Sequence, residues 1–309
     1  MRTAVLGPGT VGGALAVRLG LVGESVICVA RPEAAAAIRD EGLTHCPQRS
    51  GADRAARGLL SLERLQAKSR VSFVQKDAPK HMPDWIRTRS FEVSTRDRKR
   101  RRIDVPLVDD ELALLWQANM ACIDLNTWYS RVDKPDRPDW VLFDLDPSPD
   151  VGFPEVVEVA QLVKSLLDGL GLASYPKTSG ADGMHVLVPI ARRSTYTATR
   201  EFAEIVARTL ASTHRGLVTT EWSKAKRRGV LIDANQNAEG KTIASAYSVR
   251  PVPGATVSTP LRWEEVRDGL DPAAFTMDAV LRRVATEGDL FADLLAGGQS
   301  LAKALASVR

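Results

Sequence analysis

The segment Val141–Asp150, which reads VLFDLDPSPD, places two carboxylates inside a stretch that otherwise has the pattern of a buried strand. Side chains two residues apart on a strand point to the same face of a sheet, so Asp144, Asp146 and Leu142 share one face. The intervening apolar residues point into the opposite core. Burying two carboxylates is costly unless positive charge lies between them, and a divalent metal ion with oxygen ligands supplies that charge. An exposed acidic pair at a strand end is the alternative interpretation.

A glycine-containing turn precedes another strand at Thr178–His185, which reads TSGADGMH. Backbone N–H groups in such a turn, together with the Ser179 hydroxyl, are suited to bind phosphate oxygens. His185 lies where the chain leaves the turn and enters the strand. A histidine in a strand is also commonly a structural residue, so the turn is what favours a phosphate site.

A third carboxylate, Asp233, ends the apolar stretch Val230–Asp233. Three acids at strand ends would complete a site for two metal ions. The following segment Thr242–Pro251, which reads TIASAYSVRP, contains Arg250. A guanidinium at this position is suited to hold a phosphate group through two parallel hydrogen bonds.

Composition and charge limit the class of protein. The chain has 309 residues, of which 44% are hydrophobic and 26% are charged, a balance typical of a globular protein with more than one folding unit. We expect no membrane segment and no secretory signal. The three cysteines show no CxxC spacing, which predicts neither a disulfide framework nor a zinc ribbon and favours a reducing, cytoplasmic location.

Basic residues are concentrated in two runs, Arg96–Arg102 and Lys224–Arg228, while the formal net charge is only +4. Clusters of lysine and arginine bind nucleic-acid backbones by displacing counterions. Solvated loops or hairpin turns have the same composition. Both interpretations stay open at the level of the sequence.

The N-terminal segment has the pattern of a dinucleotide-binding fingerprint. A strand at Thr3–Leu6 leads into a glycine turn and a helical stretch, and a second strand follows at Ser25–Val29. The residues of this fingerprint are Gly7, Gly9, Gly12 and Arg31, and the arginine suits a 2′-phosphate. The segment resembles the start of the ketopantoate reductase family, which uses NADPH. The resemblance ends near residue 45, so we expect a βαβ fragment that binds NADPH weakly or not at all.

Periodicity predicts alternating strands and helices over the rest of the chain. The predicted strands are Trp140–Asp146, Gly183–Ile190, Gly229–Asp233 and Thr242–Val249, and the predicted helices are Asp109–Asn119, Pro154–Leu170, Thr197–Ser212 and much of residues 272–309.

Several ordered motifs carry a second resemblance: FDLDP, TSGxxGxH, a strand ending in Asp, and AYSVRP followed by STPLRWEEV. With the flanking FVQKDAPKHMPDWIRT, they resemble the polymerase domain of bacterial ATP-dependent DNA ligase D, of the archaeo-eukaryotic primase superfamily. This implies an α+β primase-polymerase fold with mainly antiparallel sheets flanked by helices, preceded by the short Rossmann-like βαβ fragment. The expected domains are 1–45, the fragment; 46–69, a junction; 70–270, the primase-polymerase domain; and 271–309, a helical segment.

The resemblance also implies a function: a metal-dependent nucleotidyltransferase that adds nucleotides or ribonucleotides to DNA 3′ ends in double-strand break repair. The implied roles are metal binding by Asp144, Asp146 and Asp233, with two Mn²⁺ or Mg²⁺ ions; phosphate contact by Ser179, His185 and Arg250; base stacking by Phe73; and a place near the active site for Lys76. The implied partners are DNA ends, NTP or dNTP, Ku and a separate ligase.

Three departures from the family pattern bear on activity. Residues 1–45 occupy the place where the family's domain begins, with lysines that bind a 5′-phosphate. Val74 follows Phe73 where the family usually has a second aromatic residue, and Asp182 puts a carboxylate into the glycine turn. Two other functions therefore stay open: a non-catalytic DNA-binding subunit, and an NADPH-dependent reductase based on the N-terminal fragment.

Overall fold

The computed structural model describes residues 2–6, 25–29, 77–80, 82–94, 100–120, 122–296 and 298–308. The chain divides into two compact units, Met1–Ile123 and Asp124–Arg309, and each is described by itself. None of the described helices is long and apolar enough to cross a membrane.

The first unit contains the two predicted N-terminal strands, β1 (Arg2–Leu6) and β2 (Ser25–Val29). They pair in parallel, with Arg2 opposite Ser25 and Leu6 opposite Val29. A parallel pair requires a crossover connection, as in the predicted βαβ unit. The fingerprint residues Gly7, Gly9, Gly12 and Arg31 lie outside the described residues.

An antiparallel hairpin and one helix complete the described part of this unit. The hairpin is formed by β3 (Thr88–Ser94) and β4 (Arg100–Pro106), and the helix is α1 (Glu111–Asn119). The helix begins at Glu111 because the Asp110 side chain accepts a hydrogen bond from the Ala113 N–H at 2.7 Å, an N-cap.

The described part of the first basic run, Arg100–Arg102, lies on β4 and is exposed. Arg101 forms an ion pair with Asp77 at 2.5 Å, and Asp77 also accepts a hydrogen bond from the Asp104 N–H at 2.9 Å. Part of this positive charge is therefore balanced by nearby carboxylates.

The second unit is built on a five-stranded sheet. Its strands are β6 (Trp140–Pro147), β7 (Tyr175–Thr178), β8 (Met184–Pro189), β9 (Val218–Thr219) and β10 (Val230–Ile232). They lie in the order β7-β8-β6-β10-β9, and each neighbouring pair is antiparallel except β9 and β10. A separate antiparallel pair joins β5 (Asn126–Trp128) to β11 (Thr242–Ala244).

The helices of the second unit are α2 (Phe153–Gly169), α3 (Tyr196–Thr213), α4 (Met277–Glu287) and α5 (Leu301–Val308). Short 3₁₀ helices occupy Ala234–Gln236, Trp263–Glu265, Pro272–Ala274 and Ala292–Leu295. This mixture of antiparallel sheets and flanking helices confirms the predicted α+β class.

The two faces of β6 face different cores, as its alternation predicts. Val141, Phe143 and Leu145 are fully buried in the larger core with residues of α2 and α3, and Phe143 packs edge to face on Phe202 with ring centroids 6.3 Å apart. Leu142 points the other way, into a smaller cluster. Each buried apolar side chain stabilises the sheet by roughly 1.5–3 kcal/mol, which fixes β6 and therefore the direction of its carboxylates.

The predicted strand Thr242–Val249 is wrong beyond Ala244. Tyr247 adopts a left-handed backbone conformation with φ of 65°, and its N–H donates to the Ser258 carbonyl at 2.7 Å. A residue with positive φ cannot continue a strand, so the chain turns here and brings Arg250 back towards the central sheet. The helical prediction for residues 272–309 holds only for its two separate α-helices, α4 and α5.

Candidate active site on the central sheet

A row of four polar side chains crosses four adjacent strands. Lys177 on β7 lies opposite His185 on β8, and His185 lies opposite Asp144 on β6. Asp233, directly after β10, continues the row because its N–H donates to the Asp144 carbonyl at 2.9 Å. Residues directly opposite each other in antiparallel strands share a face, so the four side chains lie side by side.

Direct contacts join three of these side chains. Lys177 Nζ lies 2.7 Å from His185 Nδ1, and His185 Nε2 lies 3.3 Å from Asp144 Oδ1. The exposed fractions are 1% for Lys177, 3% for His185 and 6% for Asp144, so water does not solvate this chain of contacts. Polar groups buried to this degree are stable only when they satisfy one another.

The other two predicted carboxylates adjoin the row. Asp146 lies two residues beyond Asp144 on the same face of β6, opposite Leu231. Asp233 is 8% exposed, and its Oδ1 accepts a hydrogen bond from the Asn235 N–H at 3.0 Å, which starts the 3₁₀ helix after β10. The register therefore brings Asp144, Asp146 and Asp233 to one region of one face.

Burial raises the pKa of all three carboxyl groups above the ordinary aspartate value. The negative charge of Asp144 raises the pKa of Asp146 and Asp233 further. Both effects disfavour the ionised form when no cation lies beside it. The raised pKa values of these three acids therefore reflect burial first and mutual repulsion second, and a divalent cation beside them would favour their ionised forms.

Several cations and one amide oppose this effect. Lys177, Arg250 and Arg227 each lower the pKa of Asp144, as does a hydrogen bond from the Gln236 side chain. Arg227 is buried, at 6% exposed, and also lowers the pKa of Asp146. Burial lowers the pKa of Lys177 to about 7 and that of His185 well below its ordinary range.

The TSGADG turn is held mainly by its own groups. The Ser179 hydroxyl accepts hydrogen bonds from the Ala181 and Gly183 N–H groups, both at 3.1 Å. Gly183 lies against β6, where an added Cβ would be 2.4 Å from the Leu145 carbonyl oxygen. The glycines thus let the turn approach the strand that carries the aspartates, while Asp182 at its tip is exposed.

Arg250 contacts this turn directly. Its Nη1 donates to the Ser179 carbonyl at 3.2 Å, and its Nε lies 3.4 Å from Asp124 Oδ1. Gly180 has φ of +77°, and a Cβ there would be 2.5 Å from Arg250 Cγ. The arginine and the turn are therefore packed as one unit beside the carboxylates.

The described residues do not form a preassembled metal cage. Over the described ranges, no group of three or more His, Cys, Asp or Glu side chains is close enough together to hold a metal ion. The donor set nevertheless suits a hard divalent cation, because the three acids share a face and their charges destabilise one another.

Two predicted residues, Phe73 and Lys76, lie outside the described residues. Sequence reasoning missed Lys177 and Gln236, which lie beside the carboxylates, and treated Arg227 only as part of the second basic run. Lys177 had a signal, since it lies two residues before Ser179 and residues two apart in an extended chain share a face. Arg227 lies in a loop and Gln236 in a short 3₁₀ helix, and no periodicity predicts the contacts of either.

Comparison with known proteins identifies the fold that carries this site. Residues 53–291 match the family model described as LigD, primase-polymerase domain. The chain belongs to the LigD primase-polymerase family. The matched residues include all three aspartates, His185 and Arg250, as well as Phe73 and Lys76.

Named members of the family are clearly similar. The bifunctional non-homologous end joining protein LigD of Bacillus subtilis is 35% identical over 224 residues, covering 72% of this chain and 35% of that protein. The multifunctional non-homologous end joining protein LigD of Mycolicibacterium smegmatis is 30% identical over 226 residues, covering 72% of this chain and 29% of that protein. The chain therefore spans about a third of the length of these relatives.

A solved structure of the family has the same fold. The polymerase domain from Mycobacterium tuberculosis ligase D, in complex with DNA, matches with a TM-score of 0.65 and 29% identity, covering 74% of this chain and 81% of that chain. This likeness confirms the predicted resemblance to the polymerase domain of DNA ligase D and the predicted α+β fold class.

Proposed function

We propose that this chain is a metal-dependent nucleotidyltransferase that adds nucleotides or ribonucleotides to DNA 3′ ends during double-strand break repair by end joining. The observation that carries the proposal is the buried row Lys177–His185–Asp144–Asp233 with Asp146 beside it, in a chain of the LigD primase-polymerase family. Three acids and several cations on one sheet face suit a reaction in which phosphate charge is transferred.

The carboxylates would hold the metal ions. Asp144, Asp146 and Asp233 offer oxygen ligands only, which favours Mg²⁺ or Mn²⁺ over metals that prefer nitrogen or sulfur. Two bound ions would activate the 3′-hydroxyl and stabilise charge on the transferred phosphate. The upward pKa shifts of the acids support this assignment, because bound cations would relieve the repulsion that causes part of those shifts.

Neutral and cationic donors around the acids would bind the nucleotide. His185 would donate an N–H to a phosphate oxygen once Asp144 faces an ion. Arg250 has five N–H donors, of which contacts to Ser179 and Asp124 use only part, so others remain for the triphosphate. Ser179 would act mainly by shaping the turn, since its hydroxyl already accepts two N–H groups.

The test is nucleotide addition to a 3′-recessed DNA duplex with Mn²⁺ and either NTP or dNTP. Asp144→Asn should reduce addition by at least two orders of magnitude, because it removes a charged ligand at the centre of the row. Asp168→Asn is the matched control, because Asp168 is half exposed on α2 and its carboxylate pairs with Lys164. This control should keep wild-type activity.

Other outcomes separate the alternatives. If the wild-type chain binds DNA but adds no nucleotides, the nucleotidyltransferase proposal is contradicted and a non-catalytic DNA-binding subunit is favoured. Calorimetry with NADPH tests the reductase hypothesis, and we expect no binding below the millimolar range, so NADPH is not proposed as a cofactor. Ku and a separate ligase are the proposed protein partners, which pull-down with the purified full chain would test.

A further inference from the structure

We infer that Lys177 is a positioning residue that fixes His185 as an Nε2–H donor and thereby keeps the imidazole from binding a metal ion. The inference rests on the proposed function only for its consequence, the choice of metal. Its basis is the buried contact chain between Lys177, His185 and Asp144.

The hydrogen-bond directions around Lys177 follow from its neighbours. The Ser258 hydroxyl donates to the Thr178 carbonyl at 2.9 Å, so its single proton is used there. Ser258 Oγ therefore accepts from Lys177 Nζ, which it contacts directly. A lysine with one acceptor in Ser258 has further protons to donate, and His185 Nδ1 lies 2.7 Å away.

The carboxylate of Asp144 favours one tautomer. His185 Nε2 lies 3.3 Å from Asp144 Oδ1, and a proton on the ring nitrogen beside a carboxylate is favoured over a lone pair there, which places the proton on Nε2. In a neutral imidazole, Nδ1 then has a lone pair, which Lys177 covers. A doubly protonated ring is disfavoured, because the ring is buried and its Nδ1–H would meet the proton that Lys177 directs at Nδ1.

This arrangement leaves His185 without a lone pair for a metal ion. Neutral imidazole nitrogens are preferred ligands of Zn²⁺, Cu²⁺ and Ni²⁺, whereas carboxylates suit Mg²⁺ and Mn²⁺. With Nε2 protonated and Nδ1 covered, the metal ligands that remain on this face among the described residues are oxygen atoms. Lys177 would therefore select against nitrogen-preferring metals at a site whose histidine lies beside a metal-binding aspartate.

The first measurement is the ¹⁵N NMR spectrum of the His185 ring in the metal-free full chain, assigned by comparison with His185→Asn. We expect the Nε2–H tautomer in the wild type. The Nδ1–H tautomer, which requires a protonated Asp144 donating to Nε2, would overturn the inference. This measurement needs no Lys177 variant and so decides the geometry even if such variants do not fold.

The second measurement is Zn²⁺ affinity by calorimetry. Lys177→Met has a side chain of similar length without a donor, and we expect loss of the fixed tautomer and Zn²⁺ binding tighter by about tenfold, the lower end of effects from residues that orient ligands. Lys177→Gln keeps a donor and should retain the wild-type tautomer. Adding His185→Asn to Lys177→Met should restore weak Zn²⁺ binding.

Lys134→Met is the matched control, because Lys134 is exposed in the loop before β6. Unchanged tautomer and unchanged Zn²⁺ affinity in a folded Lys177→Met variant would also overturn the inference. Neither measurement uses DNA or nucleotide. If the chain shows the expected tautomer and the expected change in Zn²⁺ affinity but adds no nucleotides, the proposed function is refuted and the inference about Lys177 stands.

Discussion

Asp146 is the residue on which burial and like charge act together. Burial raises its pKa above the ordinary value of 3.8, and Asp144 raises it further, to about 7. A carboxyl whose pKa is raised by folding stabilises the folded chain at low pH, and that contribution is lost as the pH rises through the raised pKa. The contribution of Asp146 to the free energy of unfolding of the metal-free chain should therefore fall between pH 4 and neutral pH, by at most about 1.4 kcal/mol for each pH step of about one.

Asp146→Asn removes the loss of stability that ionisation of Asp146 causes as the pH rises. Without metal, we expect the urea midpoint of the variant to exceed that of the wild type near neutral pH and to match it below pH 4 (approximately the ordinary aspartate pKa). Mn²⁺ should then stabilise the wild type near neutral pH more than the variant, since binding to the folded state adds to stability. A variant midpoint below that of the wild type at neutral pH without metal would contradict the electrostatic account.

Gly180 is the residue at which backbone conformation and packing coincide. It has φ of +77°, and a Cβ there would meet Arg250 Cγ at 2.5 Å and the Ser258 N at 2.8 Å. Gly180→Ala should therefore displace Arg250 and lower the affinity for the incoming nucleotide as well as the stability. Nucleotide titration and urea unfolding are the measurements.

Gly171→Ala provides the matched control for that prediction. Gly171 has a similar φ of +70°, but nothing lies within 4 Å of an added Cβ. The free energy of unfolding of Gly171→Ala should fall only by the roughly 1 kcal/mol that a left-handed conformation costs a residue with a Cβ. Equal losses in the two variants would show that the contact with Arg250 has no role.

Strand β6 is the element on which the site depends, and a side chain completes its pairing. The strand β10 ends at Ile232, and beyond it Asn237 takes the place of a neighbouring strand. Asn237 Oδ1 accepts from the Leu142 N–H at 2.9 Å, and its Nδ2 donates to the Leu142 carbonyl at 2.7 Å. These two bonds hold the backbone two residues before Asp144.

Asn237→Ala should destabilise the chain by roughly 2–6 kcal/mol, because it leaves two buried backbone groups unsatisfied at about 1–3 kcal/mol each. Glu239→Ala, at an exposed position two residues after Asn237, should change stability by less than about 0.5 kcal/mol. Chemical denaturation of both variants is the measurement. A similar small effect in both would mean that β6 does not depend on this bridge.

At the scale of the whole molecule, the second basic run forms an exposed loop between β9 and β10. Trp222 is 69% exposed, and Lys224, Lys226 and Arg228 are exposed near it. An exposed aromatic ring with neighbouring cations is suited to stack on a base while the cations neutralise phosphates. The same loop contains Arg227, which acts on the aspartates, so it is connected to the candidate site.

Trp222→Ala should weaken binding to single-stranded or recessed DNA by roughly 1–3 kcal/mol, the range for one stacked base. The double variant Lys224→Ala/Lys226→Ala should lower the salt dependence of binding by up to about 0.9 per lost phosphate contact. Fluorescence anisotropy at several salt concentrations measures both. Leu281→Ala is the control, since Leu281 is an apolar residue of α4 with 68% exposure.

The alternation along β6 determined which residues face the carboxylate side, because side-chain direction in a strand is set by the local backbone. The same local rules placed α2 and α3 within one residue of their observed starts, from their apolar spacing and from Glu155, whose side chain accepts the Gly152 N–H at 2.9 Å. The ordered motifs were sufficient for the family, because they combine residue types and spacing over much of the chain.

Only the tertiary structure decided which strands are neighbours. The place of Asp233 beside Asp144 and the approach of Gln236 depend on pairing between segments distant in sequence. The contact between Lys177 and His185 depends on the register between the consecutive strands β7 and β8. The turn at Tyr247, which ends the predicted strand and brings Arg250 to Ser179, likewise depends on a hydrogen bond to Ser258. Register between strands arises from packing of the whole sheet, and local sequence patterns do not contain that information.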